Sequence, residues 1–413
     1  MYTYQDLLLS TDKLDFVSSL ISGYKASSEY KTALEAEAYW RNQNPTINRY
    51  RKLLYDVSGT AVPDNYSANF KLATNVYFRF ITQTVAYLLG RGISFKNPET
   101  KALLGGASLD FAITKAATLA LNGGASYCFY NSGKLEVFSS LEFCPLLDEE
   151  TGRLKAGVRF WRLDKNKPLR ATLFEIDGVT ELISGDGAKF EVIKPKTAYT
   201  TQGNYRALPI IPLYSPRKQS AIIGFKQKID CYDLIESGFA NDVDEASMIY
   251  WTISNAGGMD DIDLKRFVEH MRSVKAAVIE DDGASAESHT QDVPSTSRET
   301  ILNRLETEMY RDFMVLNIDN IRSTTTATAI KASYEPMNLF SNLLENEVTE
   351  CIVEILALLG AQDTPSYTRE LLVNEQEQAE VQKIKMETIS LAKGVLPDDE
   401  IANMMRKVLE SLK

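Results

Sequence analysis

Carboxylates supply most of the chemistry this chain could do, and their spacing narrows what that chemistry is. On the stretch from Ala221 to Ile253, a wheel of about 100° per residue puts Asp233, Asn241, Asp244 and Glu245 within roughly 60° of Asp230. An acidic stripe of this kind repels phosphate, over a Debye length of about 8 Å. It also reads as the solvated face of an ordinary core helix, and the stripe alone leaves both readings open. Asp260, Asp261 and Asp263 stand in a DDID run that could be imagined as metal ligands. Beside the turn Gly257-Gly258, the same run reads as the acidic start of a helix. There are two histidines, His270 and His289, which rules out the usual multi-histidine metal sites and leaves little for a histidine general base. The four cysteines, Cys128, Cys144, Cys231 and Cys351, show no C-x-x-C spacing and read as buried free thiols in a reducing cytoplasm. Neither G-x-x-x-x-G-K-[ST] nor a helix-opening G-x-G-x-x-G occurs, so no phosphate cradle of an ATP-driven motor is expected. No catalytic, cofactor or metal site is assigned.

The totals bound size and class. A chain of 413 residues can bury a sizeable core and divide into two or three domains. Hydrophobic content of 44% and charged content of 24% are ordinary for a globular protein. The net charge of −11 argues against a surface that grips nucleic acid through its phosphates, which needs clustered Lys and Arg. It is compatible with a surface that DNA passes without sticking. The first residues lack a signal-peptide pattern, and no run approaches 18 apolar residues, so no membrane partner is expected.

The elements that must carry these residues follow from periodicity. Residues 25–45 and 47–59 read as helices, the first ended by Pro45. A helix from about Ala73 to Leu89 stops at Gly90 and Gly92, with a short strand at 93–95, and a second helix covers 108–124. From Ala125 to about Pro212 the period becomes two, in short β-rich runs divided by Gly, Asn and Asp, the pattern of an antiparallel meander. A proline-bounded extended segment, 207–219, leads into the long stretch 221–253. If helical throughout, that stretch would be about 50 Å long at ~1.5 Å per residue. Phe225, Ile229, Tyr232, Ile235, Phe239 and Val243 would line its apolar side. An insert follows at 254–296, with a helix from Asp261 to Val274 and a strand from Ala276 to Glu280. It is too short for a core of its own and is expected to pack on a neighbouring copy. Thr296 and Glu299 form a capping box that opens a second amphipathic helix, 297–316. Then come a polar, threonine-rich loop, 317–328, a helix over 329–360 kinked or split at Pro336, and a charged helical tail.

This order resembles the portal proteins of tailed bacteriophages, of the branch found in long-tailed siphophages. Two patches carry the likeness. TNVYFRFITQTVAYLLGRGISF (74–95) is similar to that family's helix, Tyr-Leu-x-Gly and strand. PIIPLYSPRKQSAIIGFKQKIDCYDLIESGFANDVDEA (209–246) is similar to its Pro-Ile-x-Pro-Phe/Tyr segment with the Ile-Asp-x-Tyr-Asp and Asn-Asp elements that follow.

The resemblance implies an α+β portal-type fold: residues 1–220 as a wing of helices and β-meander, 221–253 and 297–316 as a two-helix stem, 254–296 as a small α/β clip, 317–328 as a tunnel loop, 329–360 as a kinked helix returning to the wing, and 361–413 as a short helical crown. It implies a homo-oligomeric ring, typically of twelve subunits, at one capsid vertex of the virion, assembled in the host cytoplasm. Double-stranded DNA would pass through it during packaging and ejection. Its implied partners are the terminase large subunit, a head-tail adaptor, and the major capsid and scaffolding proteins. Asp230, Asp233, Asn241, Asp244 and Glu245 would line the channel. Asn317, Asp319, Asn320, Arg322, Ser323, Thr324, Thr325 and Thr326 would form the tunnel loop, and Lys265, Arg266, Arg272 and Lys275 would face a docking partner on the clip. The alternatives are another head-tail assembly protein without a DNA channel, and an enzyme acting on nucleic acid or nucleotides.

Overall fold

The computed structural model describes residues 2–55, 59–64, 69–185, 189–246, 250–254, 262, 265–266, 285–289, 295–317, 327–369, 383–384, 387–391 and 401–405. It mixes helix and sheet and divides into two compact units, one of residues 1–42, 75–226 and 309–413, the other of residues 43–74 and 227–308.

In the first unit, helix Lys13–Ala26 begins where the Asp12 side chain accepts from the amides of Leu14 and Asp15. Its residues Phe16, Val17, Leu20, Ile21 and Tyr24 recur at helical spacing and are buried against Leu146, Val158, Ala171, Leu173 and Leu182. Those partners lie on a five-stranded antiparallel sheet whose strands, Phe143–Leu147, Leu154–Trp161, Leu169–Glu175, Gly178–Ser184 and Glu191–Thr197, follow one another in sequence order. The expected meander is therefore present. A three-stranded sheet sets strand Ala125–Asn131 between Lys134–Ser139 and Ile210–Tyr214. Ser132 and Gly133 turn the hairpin with φ of 45° and 91°, the positive pair that a two-residue loop between twisted strands requires. The proline-bounded segment 207–219 is thus extended because part of it is a strand of this sheet.

Helix Val76–Leu89 ends at Gly90, and Gly92 rather than Gly90 takes the left-handed conformation, with φ of 76°. Helix Ala107–Gly123 is closed by Gly124 at φ of 89°. Pro336 lies inside helix Ala327–Leu358 and does not split it. The start of the tail is tied back: strand Ser366–Tyr367 pairs with Ile93–Ser94, and the Tyr367 hydroxyl lies 3.1 Å from that of Thr349.

Two expectations are corrected. Residues 47–59 are not one helix: helix Pro45–Arg49 gives way to strand Leu53–Tyr55, paired with Ala61–Pro63. The stretch 221–253 is not helical throughout. Helix Lys226–Ala246 occupies its middle, because residues 220–225 are drawn into turns against the preceding helix. Ala221 N donates to the Leu121 carbonyl at 2.9 Å and Ser220 Oγ to that of Asn122 at 2.5 Å. At the far end, Tyr250–Ser254 is a strand paired with Ser285–His289, as its aromatic and β-branched residues favour. The second amphipathic helix is Ser295–Asp312, near the expected 297–316. Most of the helix and strand expected at 261–280 lies outside the described residues.

Candidate functional site: the acidic helix and its strap

Helix Lys226–Ala246 carries Asp233, Ser237 and Asn241 four residues apart, so all three sit on one face. Each accepts one backbone N–H from the extended segment that precedes residue 75. Phe70 N donates to Asn241 Oδ1 at 2.7 Å, Leu72 N to Ser237 Oγ at 2.9 Å, and Thr74 N to Asp233 Oδ1 at 2.9 Å. The match is geometric. Four helical residues rise about 6 Å, and two extended residues rise about 6.6 Å, so a helix stripe and an alternate-residue backbone stay in step for three rungs. Ser237 Oγ also returns a bond to the Leu72 carbonyl at 3.3 Å.

The other end of the same segment converges on the same carboxylate. Asn44 Nδ2 donates to Asp233 Oδ2 at 2.7 Å, while Asn44 Oδ1 caps helix Pro45–Arg49 by accepting from Thr46 N at 2.8 Å and Ile47 N at 3.3 Å. Thr46 Oγ1 donates to Asp230 Oδ2 at 3.0 Å. One carboxylate therefore closes a strap that runs from residue 43 to residue 74. Asp233 is 0% exposed, and its pKa is pushed up to about 6. Burial is the main cause, opposed by the hydrogen bonds from Asn44 and Thr74 and reinforced by the Glu236 and Asp230 carboxylates. Burial also raises the Glu236 carboxyl.

The expected water-facing stripe is corrected at two of its members. Asp233 at 0% and Asn241 at 7% exposure are interior anchors of the strap. The wheel placed them correctly on one face; what covers that face comes from 159 to 189 residues earlier in the chain. Asp230 and Asp244 are half-buried, and the Glu245 side chain lies outside the described ones. Sequence reasoning missed Asn44, Ser237 and the backbone of 70–74. The signal for Ser237 was its place midway between Asp233 and Asn241, at i+4 from each neighbour.

The two helices of this unit run antiparallel, held by charge. Lys228 Nζ lies 3.2 Å from Glu308, near one end, and the Arg298 guanidinium pairs with Asp242 near the other, 5.8 Å over the Phe239 ring. Hydrogen bonds from Arg304 and Lys228 hold the Glu308 carboxyl below the usual carboxylate range. The result is a helical hairpin, with the strand pair 250–254/285–289 lying between the two helices in sequence.

The family described as "Phage portal protein, SPP1 Gp6-like" matches residues 23–384 of this chain. The chain belongs to the phage portal family. A portal protein of Clostridium phage phiCD119 is 28% identical over 193 residues, 44% of this chain and 43% of that protein. The portal protein of Bacillus phage SPP1 is 21% identical over 346 residues, 76% of this chain and 67% of that one. The matched part thus spans less than half of the first relative and about two thirds of the second. Among solved structures, a chain from the virion of a native gene transfer agent particle shares the fold with a TM-score of 0.50 at 13% identity, covering 81% of this chain and 90% of its own. The portal family is a structural, non-enzymatic component of the capsid.

The remaining expected site residues of this portal chain are only partly placed. Asn317 is half-buried, whereas Asp319, Asn320, Arg322, Ser323, Thr324, Thr325 and Thr326 lie outside the described residues. Lys265 and Arg266 are exposed, and Arg272 and Lys275 lie outside the described residues. Of the cysteines, Cys128, Cys144 and Cys351 are buried free thiols, and Cys231 is exposed, against expectation, because it stands on the side of its helix away from Asp233. Among the described residues no group of three or more His, Cys, Asp or Glu is arranged to hold a metal ion, and no helix is long and apolar enough to cross a membrane.

Proposed function

We propose that this chain is the subunit of a portal ring at one capsid vertex, a conduit for double-stranded DNA in packaging and ejection and a platform for terminase and head-tail adaptors. The observation that carries the reading is the family match from residue 23 to residue 384. The antiparallel hairpin of Lys226–Ala246 and Ser295–Asp312 supports it as the stem, with residues 254–296 as the clip, 1–220 as the wing, 317–328 as the tunnel loop, 329–360 returning to the wing and 361–413 as the crown.

The physics of the conduit is that of weak contact. Each phosphate neutralised by Lys or Arg releases counterions and adds salt-sensitive affinity, so a cationic wall would brake a moving duplex. A net charge of −11 and carboxylates such as Asp244 and Glu245 near the end of the first helix keep the duplex away from the wall. Arg322 with Ser323 to Thr326 would touch phosphates lightly, and Lys265, Arg266, Arg272 and Lys275 would meet an adaptor. The ring closes through a heterologous contact whose rotation closes, with about twelve copies as in the family.

Negative-stain imaging of the purified full chain tests this: rings with a central hole are expected. A species that stays monomeric at high concentration refutes it.

A further inference from the structure

The strap presents a cationic face to solvent. Residues 43–74 hold four cations, Arg49, Arg51, Lys52 and Lys71, against two carboxylates, in a chain whose net charge is −11. Arg49 and Arg51 are exposed and, among the described residues, neither lies within ion-pair distance of a carboxylate. Lys71 Nζ is held at 2.9 Å by the Asn48 carbonyl, which leaves its charge uncompensated.

Apolar groups stand among these cations. Tyr50, Leu53, Val62 and Phe70 are 47%, 48%, 45% and 52% exposed. The hairpin Leu53–Tyr55/Ala61–Pro63 is a sheet of two strands that no third strand joins among the described residues. An isolated two-stranded hairpin is marginal in water and needs packing on something else. Between strap and helix, Tyr50, Phe70 and Leu234 border a cleft of about 190 Å³ that opens beside Lys52 and Lys71. Exposed aromatic side chains at a cleft, with Arg49 and Arg51 exposed on the same strap, are residue types enriched in protein interfaces.

We propose that this outer face of the strap docks on an acidic surface of a neighbouring copy of the same chain. The inference rests on the ring reading above. Charge complementarity selects the occupant, since the cationic patch is carried by a chain that is otherwise strongly acidic. A head-to-tail contact also requires two different, complementary patches on one subunit, unlike a two-fold contact, which pairs a patch with itself. The exposed apolar residues favour a protein over a DNA backbone, whose interfaces are more polar and more uniformly cationic. The ladder to Asp233, Ser237 and Asn241 then has a purpose beyond its own unit: it fixes the strap so that its outer face is rigid before a neighbour arrives.

The test uses the full chain with Arg49→Glu and Arg51→Glu together, and Arg49→Lys with Arg51→Lys as the charge-conserving control. Mass photometry over a concentration series reads assembly. Half-assembly of the reversed variant is expected at a concentration on the order of tenfold higher or more, with the control near wild type. Deuterium exchange of residues 70–74 should match wild type, which separates lost docking from a lost strap. Carbodiimide cross-linking of rings assembled from mixed ¹⁴N and ¹⁵N chains should give mixed-isotope peptides containing Lys71. Normal assembly by the reversed variant, or Lys71 peptides of a single isotope only, overturns the proposal. So does a loss of duplex-DNA affinity with assembly unchanged, which would assign the face to nucleic acid. Absence of rings from the wild type instead sinks the portal reading itself.

Discussion

Asp233→Asn separates a carboxylate that closes a strap from one that faces a water-filled channel. In the folded chain the Asp233 pKa is pushed up to about 6 from an ordinary 3.8, and its side chain is 0% exposed. When the strap opens, the group returns to water and its ordinary value. The closed state therefore binds more protons than the open state between about pH 4 and pH 6, and closure weakens as pH rises through that window. The shift is about two pKa units, worth roughly 3 kcal/mol at ~1.4 kcal/mol per unit, or on the order of a hundredfold in the opening equilibrium. The substitution removes this titration. It also has a fixed cost, because the new amide nitrogen would meet Asn44 Nδ2, and Asn44 cannot turn over while its Oδ1 caps Thr46 and Ile47. That cost is about 1–3 kcal/mol for a buried donor without an acceptor. Deuterium exchange of the 43–74 peptides, corrected for the intrinsic pH dependence of exchange, reads the opening equilibrium directly. Wild-type protection is expected to fall by roughly a hundredfold from pH 4 to pH 7.5 beyond that correction, with the Asp233→Asn protein flat. The substitution should thus be most damaging at low pH. Equal slopes for the two proteins would mean that Asp233 titrates as a solvated carboxylate, and its role in closing the strap would be wrong.

Three further outcomes are expected. Ser237→Ala deletes the acceptor of Leu72 N and should weaken strap closure by about 1–2 kcal/mol at every pH, measured by the same exchange. Gly157→Ala would set a Cβ 2.2 Å from Cζ of Phe143, so the buried Phe143 ring must shift or its strand must yield. A cost of roughly 1–3 kcal/mol in thermal or denaturant unfolding follows; an unchanged midpoint would show that the ring has room to move. Under the conduit reading, Asp244→Lys with Glu245→Lys should leave rings intact in micrographs while lowering the yield of packaged DNA. Normal packaging would remove the repulsive wall from the account.

How much of this was legible in the sequence depends on which atoms carry the information. The meander and the paired amphipathic helices declare themselves through side chains at periods of 2 and 3.6, and the structure has both. Their ends were harder, because periodicity does not see competition. Tyr250 to Ile253 continue the apolar pattern of the long helix, yet their aromatic and β-branched types pair with Ser285–His289. Residues 221–225 continue it too, but bonds to Leu121 and Asn122 hold that neighbourhood in turns. The strap is the extreme case. Its partners on the helix are side chains, but what they bind is backbone N–H, which every residue except proline offers and which leaves no mark on composition. A polar stripe on a helix is therefore compatible with water, with a channel, or with an extended segment from far away in the chain. Only the third choice demands acceptors at a rise that matches two extended residues, and Asp233, Ser237 and Asn241 at i, i+4 and i+8 meet that demand. Recognising small polar acceptors at that spacing as a backbone ladder would have moved Asp233 and Asn241 out of the acidic wall and into a clasp.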